Sequence, residues 1–184
     1  QTIINLQLTN QPSLAGGGSN GGTLEIDATS RWDMNKSSDL AALRLNGGTV
    51  QFATPQSGYR TLTVGTLGGS GGVFGMNTVL NEGGAATQSD LLHVTGDAAG
   101  QHKLAVSNQG GTGAKTVGDG IKLVQVDGQS AANAFALSGS LQAGAYEYRL
   151  FQGGSDSPSS WYLRSQYQEE KALAGGGGGG GPTP

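Results

Sequence analysis

The stretch SDLLHVTGDAAGQHKLAVSNQGG, residues 89–111, decides the fold, and the rest of the chain reads as variations on it. Leu92 and Val94 alternate with His93 and Thr95, the period of two expected of a strand with one buried face. Gly96, Asp97, Ala98, Ala99 and Gly100 then supply residues that turn easily. A second strand follows, in which Leu104 and Val106 alternate with Lys103, Ala105 and Ser107, and residues 108–111 close the unit with another turn. No residue in it has an evident chemical task. The unit reads as scaffold.

The composition agrees with a scaffold. Of 184 residues, 35 are glycine, 12% are charged and 6% are aromatic. The net charge is −3 with no basic cluster, so nothing in the chain attracts nucleic acid. There are no cysteines, which excludes disulfides and thiolate metal sites and suits an exported chain that must cross a membrane unfolded. No apolar run is long enough for a transmembrane helix. Residues 1–15 lack a charged, then apolar, leader, so a precursor still carrying a signal peptide is not expected.

Strand signals recur at residues 23–27, 42–45, 49–52, 61–64, 73–76, 91–95, 102–107, 121–126, 134–137, 145–150 and 161–164, with a further run at 3–8. Helical turns are expected only at 38–43 and 166–174. Many short strands with regular turn punctuation argue for an all-β sandwich, barrel or solenoid. Two strands with their turns make a period of about 20 to 25 residues, within the range of repeat arrays. Asn46-Gly47, Asp119-Gly120 and Asp127-Gly128 keep hairpins open as an alternative. Gly- and Asn-rich corners with little charge suit a parallel β-helix better, because each coil buries small and branched side chains against its neighbours.

The ends differ from the middle. A flexible Gly-rich segment occupies residues 16–22, and after Tyr167 a charged QEEKALA run leads into seven glycines and Pro-Thr-Pro, a linker that cannot pack a core. Tyr146, Tyr148, Trp161 and Tyr162 crowd into the last ordered portion, where large side chains would close the end of a solenoid.

Searching for chemistry yields little. His93 and His102 flank the central turn and would approach each other in a hairpin near Asp97, but a metal site needs further ligands. Both read as solvent-facing, out of phase with the apolar residues or at a strand edge. Serine-nucleophile motifs are missing, and Ser89, Asp90 and His93 lie too close in sequence to face one another. Asp27, Asp33, Asp39 and Glu25 read as solvating the coils, and a glycosidase pair has no members to name. The glycines at 68–72 lack the Lys-Ser/Thr of a phosphate loop. The long turn at 110–119 is the candidate for contacts with a host protein or sugar.

Four blocks carry a resemblance. They are RWDMNKSSDLAALRLNGGTVQF, containing Trp32; YRTLTVGTLGGSGGVFGMN; the opening stretch, with Asp90, Leu92, Val94, Gly100, His102, Leu104, Val106 and Asn108; and a last block running from Phe135 through Tyr146 and Tyr148 to Trp161 and Leu163. In this order they resemble the C-terminal part of a bacterial autotransporter passenger of the pertactin-like group.

The resemblance implies an all-β, right-handed parallel β-helix with an aromatic-rich C-terminal cap, the autochaperone region, acting as a folding nucleus without cofactor or catalysis. It implies partners in the passenger's own N-terminal coils and an outer-membrane β-barrel absent here, with a host surface receptor as a further candidate, at the bacterial surface. The expected division is a coil remnant at 1–31, helix and cap at 32–165 and a linker at 166–184. Trp32, Leu92, Val94, Gly100, Leu104, Val106, Tyr146, Tyr148 and Trp161 are the residues expected to carry the fold. The linker departs from the family pattern in being glycine-rich rather than proline-rich.

Overall fold

The computed structural model of the chain describes residues 5–9, 13–16 and 21–167. Its strands are β1 (Asn5–Leu8), β2 (Ser13–Gly16), β3 (Thr23–Asp27), β4 (Arg31–Met34), β5 (Ser38–Asn46), β6 (Thr49–Phe52), β7 (Thr61–Ser70) and β8 (Val73–Thr78). They continue as β9 (Leu91–Val94), β10 (His102–Asn108), β11 (Ile121–Val126), β12 (Phe135–Leu137), β13 (Leu141–Ala143), β14 (Tyr146–Gln152) and β15 (Trp161–Tyr167). One short 3-10 turn lies at Gly84–Ala86.

Alternate strands go to alternate sheets. One sheet runs β1-β3-β5-β7-β9-β11-β15-β14-β13, and the other β12-β10-β8-β6-β4-β2. Pairing is parallel from β1 to β11 in the first and throughout the second. This is a parallel β-helix. Each coil is brought into register above the last, so inner-face residues form columns. Trp32, Val50, Phe74 and Leu104 align through β4, β6, β8 and β10, and all are buried. Leu62, Leu92 and Val124 align through β7, β9 and β11, with Val64, Val94 and Val126 beside them. Each such side chain contributes about 1.5–3 kcal/mol by leaving water, and most of that contact is with the coils on either side. The spacing within a column widens toward the C-terminus, as the residue numbers show, because the corner loops lengthen while the strands keep their register.

Glycine is required where coils turn tightly. Gly100 has φ +80, and a Cβ there would lie 1.8 Å from the carbonyl oxygen of Gly69 on the coil beneath. No other residue fits.

The structure departs from expectation in several places. Residues 38–43 are not helical. They form the first part of β5, paired in parallel from Ser38↔Leu62 to Asn46↔Ser70 along β7. A neighbouring strand in register overrides the helix propensity of Leu and Ala. Of the 166–174 helix, Gln166 and Tyr167 end β15 and the remainder lies outside the described residues. The strands flanking the opening turn do not form a hairpin: β9 and β10 belong to different sheets. Asn46-Gly47 and Asp119-Gly120 sit at corners, where Gly47 at φ +83 and Gly120 at φ +93 redirect the chain between sheets rather than back along one. Positive φ marks a sharp turn, whatever follows it.

Candidate functional site

The end of the solenoid is built differently from its body. After β12 the chain turns back, and the first sheet continues beyond β11 in antiparallel strands: β11 pairs with β15, β15 with β14, and β14 with β13. Gly144, at φ +57, makes the tight turn from β13 into β14. The aromatic residues clustered here in sequence then fall on the core. Tyr148, Trp161 and Tyr162 are buried, with Leu163 between the strands opposite Ile121. Trp161 meets the ring of Phe135 edge-on at 5.6 Å, and Tyr146, half-buried, meets Tyr167 at 5.5 Å.

Polar bonds clasp this cap to two long loops. The Tyr148 hydroxyl accepts the backbone N–H of Ala114 at 3.0 Å and lies 2.8 Å from the Asn81 carbonyl and 3.1 Å from that of Ala114, to either of which it donates. Ser165 Oγ donates to the Ala114 carbonyl at 2.7 Å and accepts the Thr116 N–H at 2.8 Å. Ser165 N–H in turn donates to Thr116 Oγ1 at 3.1 Å. The turn at 110–119, the candidate contact loop, is thus bonded to the cap through Ala114 and Thr116, with Val117 exposed. On the opposite edge Ser130 Oγ accepts Trp161 Nε1–H at 3.1 Å and Gln152 Nε2–H at 2.9 Å, while donating to the Ser159 carbonyl. Ser160 Oγ, fully buried, accepts Val126 N–H.

Charges lie around the rim. Arg164 Nε donates to the Asp119 carbonyl, its guanidinium stands 5.4 Å from the Tyr162 ring centroid, and Asp119 Oδ2 takes both the N–H and the hydroxyl of Ser155. Those Ser155 bonds hold the Asp119 carboxyl below its ordinary range. Asp156 accepts from Lys122 and from the Tyr162 hydroxyl, and the Lys122 bond is the larger cause of its lowered pKa. Burial, then the bond to Asp156, pushes the Tyr162 phenol well above its usual value, and burial raises Tyr148. These groups fasten the rim of the cap to one another and to the loop at 153–156.

Of the residues singled out in the sequence, Trp32 (β4), Leu92 and Val94 (β9), Leu104 (β10), Tyr148 and Trp161 are buried, but they are not gathered at one point. Trp32 lies several coils from the cap. Val106 is only half-buried, beside an open cleft it shares with Leu137 and Leu141, so the alternation that places it with Leu104 on the inner face does not enclose it fully. His93 does lie on the outer face, with Nε2 2.8 Å from Asp127 Oδ2, and Gln125 followed by His93 holds the Asp127 carboxyl below its usual range.

His102 is not solvent-facing. It is 2% exposed, and the reason was legible: it stands two residues before Leu104, in phase with the buried face. Nor did the sequence disclose the buried carboxylate of Asp90, which takes the N–H of Arg60 at 2.9 Å and both the backbone and side-chain N–H of Asn77 at 2.7 and 2.9 Å. The signal available was an Asp one residue ahead of a buried strand, a position that staples corners of successive coils. Among the described residues, no group of three or more His, Cys, Asp or Glu is placed to hold a metal ion.

Residues 38–150 match the family model described as Autochaperone Domain Type 1. The chain is 37% identical over 164 residues to the Adhesin BmaC autotransporter of Brucella suis, covering 83% of this chain and 4% of that protein. It is 39% identical over 145 residues to the Pertactin autotransporter of Bordetella parapertussis, covering 73% of this chain and 15% of that one. Its fold is similar to the crystal structure of the Haemophilus influenzae Hap adhesin, with a TM-score of 0.62 at 25% identity, over 88% of this chain and 18% of the other. The chain thus spans a small part of each of these longer proteins.

Proposed function

The chain belongs to the Autochaperone Domain Type 1 family, and from that premise we propose that its capped end is the folding nucleus of an autotransporter passenger, promoting the passage and folding of that passenger at the bacterial surface. Its role is that of scaffold and folding aid, in a parent of the adhesin type to which relatives such as BmaC and Hap belong.

The observation that carries the proposal is the reversal of strand direction beyond β11 in the first sheet. A solenoid coil buries its face only against neighbours, so an open end is unstable alone. Here β13 to β15 cover that end from within one stretch of chain, and the clasp through Tyr148 and Ser165 fastens it to the loops of the preceding coils. A unit closed at one end offers the next coil a finished surface to pair with. β1 and β2 stand at the other end of the two sheets, where coils of the passenger would continue the ladders. In this reading residues 32–165 fold first, residues 166–184 tether them to an outer-membrane barrel, and the segment does no catalysis.

The test is made in the intact parent. Residues 32–164 are deleted, the barrel is kept, and protease-resistant passenger at the cell surface is measured. Degraded or stalled passenger, restored to resistance when the fragment is added from outside, is the expected result. Unchanged display with loss of host-cell binding would make this region a receptor-binding module and refute the proposal.

A further inference from the structure

We infer that His102 makes the folded state of the capped unit conditional on pH: the site accepts a neutral imidazole in one tautomer, and a second proton on that ring favours the open chain. The inference concerns folding alone and stands apart from any role in secretion.

The ring sits on the inner face of β10. The N–H of Gly72 donates to Nδ1 at 3.2 Å, so Nδ1 presents a lone pair. Nε2 is 3.0 Å from the Ala99 carbonyl, so it carries the hydrogen. One tautomer satisfies both backbone groups, and they come from corners of two different coils. Glycines make the space. A Cβ on Gly72 would lie 2.8 Å from Nδ1, and one on Gly100 would lie 3.3 Å from Nε2. Phe74 meets the ring edge-on at 6.1 Å and Phe135 lies at the same distance on the far side. A proton on Nδ1 would point at the Gly72 N–H, breaking that bond and burying an unpaired charge.

Among the described residues, nothing charged faces the ring to compensate. β8, β12 and β7 contain no titratable residue. β5 brings Asp39 and Arg44 and β10 brings Lys103, all exposed on outer faces. The corner at 96–101 brings Asp97, exposed and accepting the Gln129 N–H. β15, beyond Phe135, brings Arg164, bonded to the Asp119 and Gly153 carbonyls. Burial, only partly offset by the Ala99 carbonyl, accordingly holds the imidazole below its ordinary value.

An imidazole depressed in the folded state and ordinary in the unfolded chain takes up its proton first when unfolded. The stabilisation is whole above the unfolded value of about pH 6.5 and is lost progressively as pH falls below it through the folded value. Asp119, Asp127 and Asp156, held below the usual carboxylate range, lose their contributions only in stronger acid.

The experiment is urea unfolding of the full 184-residue chain between pH 7 and pH 5. For the unchanged protein the unfolding constant should rise with acid, approaching about tenfold per pH unit for one proton. His102→Met should flatten this dependence whatever its absolute stability. In parallel, nitrogen NMR of the unchanged folded protein reads the ring directly, so the inference stays testable if His102→Met does not fold. An Nε2–H tautomer that does not titrate in the ordinary histidine range supports it. An undiminished slope in His102→Met, or ordinary titration of the folded ring, would overturn it.

Discussion

Replacing Tyr148 by Phe probes the clasp while leaving the cap's packing in place. The ring stays, and with it the burial of the aromatic surface. What disappears is one hydroxyl that accepts the Ala114 N–H at 3.0 Å and reaches the Asn81 carbonyl at 2.8 Å. Each buried backbone group left without a partner costs about 1–3 kcal/mol. The Ala114 carbonyl keeps the Ser165 hydroxyl, and Ala114 is half-buried, so water recovers part of the loss. We expect a net destabilisation of about 2 kcal/mol, which for a chain of this length lowers the melting temperature by about 4–8 °C. Thermal unfolding followed by near-ultraviolet circular dichroism reads it, with proteolysis of the loop at 110–119 as a local check. Tyr148→Ala, which also empties the site, should cost about 3–5 kcal/mol. Because Ser165 holds the same loop, Tyr148→Phe and Ser165→Ala should be non-additive, with a coupling of about 0.5–3 kcal/mol. A shift below about 1 °C in Tyr148→Phe, or strict additivity with Ser165→Ala, would refute the idea that this hydroxyl fastens the loops.

Other perturbations discriminate the remaining contacts. Leu92→Asp places a carboxylate in a fully buried column and should unfold the chain, a loss above about 4 kcal/mol, whereas Val106→Asp, at a half-buried site, should leave a folded protein with a lower urea midpoint; equal effects would contradict the burial difference. Gly100→Ala meets the Gly69 carbonyl at positive φ and should abolish protease resistance, so a resistant variant would show that the corner can relax. At the alkaline end, Tyr148 and Tyr162 have raised folded pKa values, so their contribution is whole below about pH 10 and is lost as pH rises beyond it. Tyr162→Phe should shrink that loss in unfolding experiments between pH 9 and 11.

Much of the solenoid is legible in the chain because its rules are local. Leu62, Val64, Leu92, Val94, Leu104 and Val126 announce strands by alternation, and the glycines between them announce corners, since both depend on a residue and its immediate neighbours. Residues 38–43 show where local rules fail: Ser-Asp-Leu-Ala-Ala-Leu favours a helical turn in isolation, and only the register with β7 makes it a strand. The two histidines divide in the same way. His93 follows its phase outward and His102 its phase inward, against the rule that polar side chains are more often exposed.

The amino-acid sequence by itself thus determined most of the strands, the turns between them and the aromatic character of the end that closes the coils. Tertiary structure alone decided which groups meet there. Tyr148 and Ala114 are 34 residues apart, Ser165 and Thr116 49 apart, and Asp90 and Arg60 30 apart, yet each pair is hydrogen-bonded. Corner loops of changing length separate these partners in the chain, so no fixed period predicts their meeting. Backbone register between neighbouring strands brings them together, and that register exists only once the coils have stacked.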